Sequence, residues 1–428
     1  MKTYNNPSPA MWPELCLRPS SDNTGLEARV TAIIEQVRLQ GDNAIRALSR
    51  QIDRQQMSRI AVTSEEIEEA CSQVSDDVKQ AISSAASNIR SFHEAQKPSE
   101  VDIETMPGVR CIQRPVPIER VGLYIPGGTA PLFSTVLMLA IPATIAGCRE
   151  IVLCTPGSHD GKVNNEVLYA ASYCGVKQIF KVGGAQAIAA MAYGTETVPK
   201  VDKIFGPGNQ YVTTAKQLLS SRTVAVDMPA GPSEVMVIAD AATPPQFAAA
   251  DLLSQAEHGP DSQVMLLCDT SETADNILRE LQSQLQSIPR SEFAFESLGN
   301  SRCLIIANPE DQIAFANMYA PEHLIIESSQ PWAIASGITA AGSVFVGKWT
   351  PESAGDYASG TNHTLPTCGW ARSFSGINLD SFFRKMTIQE LSFEGLQNLE
   401  KTIVTMAEAE GLQAHASAVR IRTSYDQK

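Results

Sequence analysis

Four of the six histidines in this chain have a carboxylate close by in sequence, the raw material for proton transfer and for metal binding. His323 lies in YAPEHL, directly after Glu322 and before the apolar run LIIE. In a loop the two can line one cavity, and a carboxylate beside an imidazole suits acid–base work near neutral pH; a surface ion pair is the competing reading. His258 lies in DLLSQAEHGPDS, three residues after Gln255, so on a helix both face one side. The pair could supply two metal ligands, although an amide is an uncommon zinc ligand and His258 alone suits a capping or core role better. Asp356 and His363 share SAGDYASGTNHTLPT, a Gly- and Ser-rich loop without apolar periodicity, where carboxylate and imidazole suit a divalent metal. His415 follows Glu410 by five residues on an apolar C-terminal helix, where a lone histidine is usually structural. His93, ending a long helix, and His159, in the turn GSHDG, read as solvated. Together the four clustered histidines argue for a zinc enzyme with a position left for substrate and a Glu322/His323 proton-transfer pair.

Three glycine loops point to a second ligand. YIPGG (124–128), VGGAQA (182–187) and FGPGNQYV (205–212) each follow a β-rich run, the place where α/β folds bind ligands. Glycine lets the backbone approach a phosphate, and a helix N-terminus offers free N–H groups. None of the three fits G-x-G-x-x-G, and each alone is equally an ordinary tight turn. With Tyr124, Gln186 and Asn209 at their tips, the three together suggest a nucleotide site.

These side chains need elements to position them. EIVLCTPG, KQIFKVGG, DKIFGPG and TVAVDMPAGPSEVMVIAD alternate with helical stretches, as do SQVMLLCD, CLIIANP, HLIIESS and GSVFVG further on. Strand, glycine loop and helix in turn is the βαβ signature, so two parallel sheets are expected. Before them, Thr63 and Glu66 form a capping box that opens one long amphipathic helix through Phe92, and LEARVTAIIEQVRLQG reads as another helix. The first ~23 residues read as irregular. From about Asp380 the pattern is helical again, in a segment too small to bury a core of its own.

Composition bounds the partners. The 428 residues carry 33 basic and 47 acidic side chains, a net charge of −14, and 43% are hydrophobic. That is a globular chain without the basic face that nucleic acid or an anionic membrane requires. The longest apolar stretch, 136–148, is interrupted by Pro142 and Thr144 and is too short to span a membrane. The nine scattered cysteines, mostly inside apolar runs, read as reduced core residues of a cytoplasmic protein.

Eight stretches in order resemble the histidinol dehydrogenase family: VGLYIPGGTAPLFSTVLMLAIPA, VGGAQAIAA, FGPGNQYV, VDMPAGPSEVMVIAD, LLSQAEHG, YAPEHL, AGDYASGTNHTLPT and EGLQAHASAVR. They cover nearly the whole chain from about residue 25. The resemblance implies a zinc-dependent oxidation of L-histidinol to L-histidine through L-histidinaldehyde with two NAD⁺, the last two steps of histidine biosynthesis. It implies one zinc per subunit on Gln255, His258, Asp356 and His415, and acid–base work by Glu322 and His323. It sets Ser233, His363 and Glu410 against the substrate and Tyr124, Gln186 and Asn209 against NAD. It also implies a homodimer in which a crossing C-terminal segment brings Glu410 and His415 to the partner's site.

The expected architecture is α/β, with two Rossmann-like parallel-sheet domains, a helical N-terminal region and a helical C-terminal dimerisation segment. Residues 1–24 form a lead-in. Residues 25–123 with 233–379 carry the zinc and catalytic loops, 124–232 carry the NAD loops, and 380–428 cross to the partner. Two other activities compete. A zinc-dependent hydrolase would leave the glycine loops without a role, and a dehydrogenase of another small amino alcohol would differ only in the pocket. A non-catalytic binding module would leave Glu322–His323 idle.

Overall fold

The computed structural model describes residues 1–19, 25–127 and 131–425. Gly128 of the first glycine loop lies outside the described residues, as do 20–24 of the lead-in and 426–428. The two parallel sheets are both present. One has five strands in the order Gln178–Phe180, Glu150–Cys154, Arg120–Tyr124, Lys203–Phe205, Ala225–Val226. The other has six, in the order Lys2–Asn5, Arg302–Ile305, Gln263–Cys268, Glu234–Ala239, His323–Glu327, Ser343–Val346.

Both sheets are covered on both faces, which is why their strands are apolar runs rather than alternating ones. In the six-stranded sheet Val235, Val237, Leu266 and Ile325 enter one core, and Met236, Ile238, Leu267 and Leu324 enter the other. The helices Leu26–Gln40 and Asp42–Gln51 share their buried residues with the five-stranded sheet through Tyr124, Val152 and Phe180. The next pair of helices does the same on the opposite face through Val121 and Leu123.

Several local expectations change. The capping box forms, with Thr63 Oγ1 accepting from Glu66 N–H and Glu66 Oε2 from Thr63 N–H. The long helix it opens is two helices, Ser64–Gln73 and Asp76–Glu94. Ser75 takes an extended conformation between them and caps the second, followed by Asp76 and Asp77 in its first turn, so a start signal outweighed unbroken apolar periodicity. His93, expected in solvent, is fully buried, with Nδ1 donating to Ile89 O at 2.8 Å; His159 is exposed. The lead-in is not irregular: Lys2–Asn5 pairs with Arg302–Ile305 at a sheet edge, an addition that depends on a partner 300 residues away. Residues 383–391 are a strand, not helix. With Val101–Met106 and Val109–Pro117 they form a three-stranded antiparallel sheet, another long-range pairing invisible to local pattern. Four cysteines are buried as expected, but Cys368 is exposed; all nine are free thiols.

After that sheet come the helices Phe393–Ala409 and Gln413–Thr423, which pack against each other and leave Met406, Leu412 and Ile421 exposed. No helix among the described residues is long and apolar enough to cross a membrane.

The N-terminal segment is fastened by Arg18. Its guanidinium forks onto the buried Glu234 carboxylate, Nε to Oε1 at 2.9 Å and Nη2 to Oε2 at 3.0 Å, and also donates to Tyr319 O at 2.7 Å. It stacks over the Tyr319 ring at 3.7 Å. Arg18→Ala would leave a buried carboxylate without its cation, so it should cost roughly 3 kcal/mol, read as a fall in denaturation midpoint. A loss below about 0.5 kcal/mol would show that the fork is not holding this segment down.

Candidate active site

His323 is the first residue of its strand, and Ser233 directly precedes the neighbouring strand, so two parallel strands begin at the same place. Side chains alternate along a strand, which puts His323 on the face of Ile325, the face covered by the helix Pro245–Ala256. Gln255 stands at the C-terminal end of that helix and meets the histidine there: its Nε2 is 3.1 Å from His323 Nδ1. The same amide donates to Glu234 O at 3.1 Å and reaches Glu322 Oε2 at 3.4 Å.

The Glu322–His323 pair is buried. Glu322 Oε2 accepts the Glu234 N–H at 2.9 Å and lies 3.6 Å from His323 Nδ1. His323 Nδ1 lies 3.2 Å from Glu234 O, to which it donates when protonated, and Nε2 faces Asp356 Oδ1 at 3.5 Å. Burial pushes the Glu322 carboxyl up to about 8, against the pull of His323. Burial pushes the His323 ring down, but Glu352, Glu322 and Asp356 outweigh it and raise it to about 10.

Asp356 stands among histidines. Burial raises its carboxyl, but His323, His363 and His258 hold it below its ordinary value. His363 donates from Nδ1 to Asp356 O at 2.8 Å, and its Nε2 accepts from Thr135 Oγ1 at 3.1 Å. Burial keeps this ring below its usual pKa, so it is neutral in that arrangement. Ligand atoms of His323, Glu352 and Asp356 all lie within 4.8 Å of one another, a spacing that can hold a cation. The Gln255 Oε1 is buried and has no hydrogen-bond partner among the described residues. A buried amide oxygen without a donor, beside a carboxylate and imidazoles, is what a metal ion would satisfy.

The spacing therefore brings together Gln255, Glu322, His323, Asp356 and His363. Ser233 joins Glu322 and His363 in the wall of a cavity of about 230 Å³. His258 is exposed and lines neither cavity, but it lies close enough to Asp356 to feel its charge. Glu410 and His415 are exposed on the C-terminal helix pair, which packs on itself and on the antiparallel sheet, and neither lines the small cavity or its larger neighbour.

That larger cavity, of about 810 Å³, lies at the carboxyl ends of the five-stranded sheet and shares Pro126 and Asn209 with the small one. Tyr124, Gln186 and Asn209 all line it, with roles in holding its loops. Tyr124 Oη accepts from Gly184 N–H at 3.0 Å. Asn209 Oδ1 caps the helix Gln210–Ser220 through Tyr211 and Val212 N–H. Gln186 Nε2 donates to Asp53 Oδ2 at 2.9 Å. Gly206 has φ +125° and a Cβ there would collide with Tyr124 O, so only glycine lets these two loops touch.

Sequence reasoning missed Glu234, Glu352, Asp53 and the buried Lys216–Asp227 pair that closes the small cavity. Glu352 had a signal: it sits one helical turn before Asp356. Glu234 had none, because its backbone does the work.

The histidinol dehydrogenase family model matches residues 16–423. A histidinol dehydrogenase of Bacteroides thetaiotaomicron is 54% identical over 422 residues, 99% of each chain. One from Vibrio parahaemolyticus is 52% identical over 95% of this chain and 94% of its own. The crystal structure of histidinol dehydrogenase from Elizabethkingia anophelis superposes with a TM-score of 0.96 at 51% identity, covering 99% of this chain and 98% of that one.

Behind Glu322 and His323 lies a second set of acids. Glu327 shares the strand face of His323, and Asp251 precedes Gln255 by one helical turn. Burial raises Asp251 to about 7, and burial together with Asp251 raises Glu327 to about 8. Glu327 Oε2 has no partner. Unfolded, such carboxyls lose their protons near pH 4. Folded, they keep them, so stability is full below about pH 4 and falls as pH rises toward 8. Glu327→Gln copies the protonated form. It should raise stability by about 2 kcal/mol at pH 8.5 and by much less at pH 5, measured as melting temperature. An equal shift at both pH values would show that Glu327 does not hold its proton.

Proposed function

The chain belongs to the histidinol dehydrogenase family, NAD-dependent oxidoreductases of histidine biosynthesis, and on that premise we propose that the pocket at Glu322 and His323 is where histidinol is oxidised. The observation that carries the site is the buried carboxylate–imidazole pair, whose Glu322 lines a cavity that shares Asn209 and Pro126 with the larger glycine-loop cavity. A dinucleotide lying along the carboxyl ends of one sheet would bring its reactive end to the amino ends of the other.

The two oxidations divide between the two residues. Nδ1 of His323 donates to Glu234 O, so Nε2 takes the alcohol proton as L-histidinol becomes L-histidinaldehyde. A cation held by Asp356 would offset part of the negative charge that keeps the ring protonated, which would leave His323 able to act as the base. Glu322 then accepts a proton from water as the water attacks the aldehyde. Burial around both residues keeps the aldehyde from bulk solvent between the steps. NAD would supply the hydride acceptor for each step, and zinc, one per subunit, would hold and polarise the amine and imidazole of the substrate.

Gln255, His258 and Asp356 supply three zinc donors from this chain, and the unpartnered Gln255 oxygen supports that set. His415 of a second copy supplies the fourth, with Glu410 pairing the substrate's cationic amine. The exposed apolar residues of the C-terminal helix pair support a homodimer in which this segment crosses over. Ser233 and His363 contact the substrate, and Tyr124, Gln186 and Asn209 contact NAD. The free thiols support a cytoplasmic setting. A zinc-dependent hydrolase is not favoured, since the larger cavity would then be idle.

Two measurements check the assignment. Glu322→Gln should slow oxidation of histidinaldehyde by a factor of about 10² or more while alcohol oxidation changes far less, and His323→Ala should slow the alcohol step. Equal loss in both half-reactions of the Glu322 variant would remove it from the water step. Second, a dimer mixing His415→Ala with Glu322→Gln subunits should regain activity, because one of its two sites then carries no substitution. A mixed dimer of demonstrated composition that stays inactive rules out the crossing.

A further inference from the structure

We propose that Asp53 selects NAD over its 2′-phosphorylated form, its carboxylate accepting hydrogen bonds from the ribose hydroxyls next to the adenine. This rests on the reading of the larger cavity as the NAD site. In dinucleotide folds the ribose is held by an acid at the end of the strand after the one that carries the glycine loop. Here that strand is Glu150–Cys154, and the residues after it are Thr155, Pro156 and Gly157, none of them acidic. The next acid, Asp160, turns back onto its own loop, accepting from Ser158 Oγ and Lys162 N–H, and does not line the cavity.

Asp53 fills that place from a distant part of the sequence. It follows the helix Asp42–Gln51 and lines the cavity together with Pro156 and Gly157. Its segment is docked directly on theirs. Gln56 N–H donates to His159 O at 3.1 Å, and the amide of Gln55 occupies the space that a side chain on Gly157 would need. Arg54 takes a left-handed φ of +54°, which turns the chain just after Asp53. Gln186 Nε2 holds Asp53 Oδ2 at 2.9 Å, while Oδ1 takes no hydrogen bond from any described residue. One carboxylate oxygen is thus fixed by the protein and the other is left for a donor. A ribose diol offers donors; a 2′-phosphate offers only negative charge and is repelled. Gln186, itself buried, then acts on the cofactor by orienting Asp53.

The experiment compares kcat and KM for NAD⁺ and NADP⁺ in the whole enzyme and in Asp53→Ser, with Asp53→Asn as the variant that keeps the size and the Gln186 contact. Ala32→Trp serves as a cavity control, since Ala32 is an exposed helix residue that lines the same cavity. Both Asp53 variants should raise KM for NAD⁺ about tenfold, leave KM for histidinol near its parent value, and raise the NADP⁺ to NAD⁺ ratio of kcat/KM by tenfold or more. Ala32→Trp should raise KM for both cofactors alike. If Ala32→Trp raises KM for NAD⁺ but the Asp53 variants leave the cofactor ratio unchanged, the role of Asp53 is overturned and the cavity stands. If Ala32→Trp leaves KM for NAD⁺ unchanged, the cavity is not the cofactor site and both readings fall.

Discussion

The site depends on the backbone of one residue, Glu234. Its N–H holds the Glu322 carboxylate, and its carbonyl receives the Gln255 amide and faces His323 Nδ1. Glu322, His323 and Gln255 are therefore indexed to the same rigid strand end. The Glu234 side chain points the other way and is held by Arg18 and by Cys368 N–H, so the N-terminal segment and the loop after His363 are tied to the same residue. Because these groups are buried, each contact acts in a medium of low dielectric, where a misplaced charge is costly and the geometry is correspondingly narrow.

A second constraint is the opposed use of the two sheets. The five-stranded sheet offers its carboxyl ends, where glycine loops and helix N-termini line the larger cavity, the place the general rule gives to a ligand. The six-stranded sheet offers amino ends: Ser233 and His323 stand where strands begin, and Gln255 and His258 where a helix ends. A helix that runs back antiparallel to its strand must finish beside the strand's start, so polar side chains from both converge there. One consequence is that the acids behind His323 lie deep in the sheet, and their burial makes folding sensitive to pH between about 4 and 8.

Much of this was legible locally. Glu322–His323, Gln-x-x-His and the Asp356–His363 loop were found from residue type and spacing, and the apolar runs announced two parallel sheets. The errors share a cause. The strands at residues 2–5 and 383–391 exist because partners hundreds of residues away offer an edge, and the burial of His93 comes from helices packed over it. Local periodicity carries none of that information.

By itself the sequence determined the chemistry: which residue types sit together, that the chain builds two α/β cores, and which family it belongs to. Those follow from near-neighbour spacing and from motif order, both one-dimensional. Only the tertiary structure decided that the backbone of Glu234 aligns Glu322, His323 and Gln255, that Gln255 presents an oxygen unpartnered among the described residues, and that Asp53 stands at the end of a strand a hundred residues further along the chain. Each depends on segments far apart in sequence being brought within hydrogen-bonding distance, which packing fixes and spacing does not.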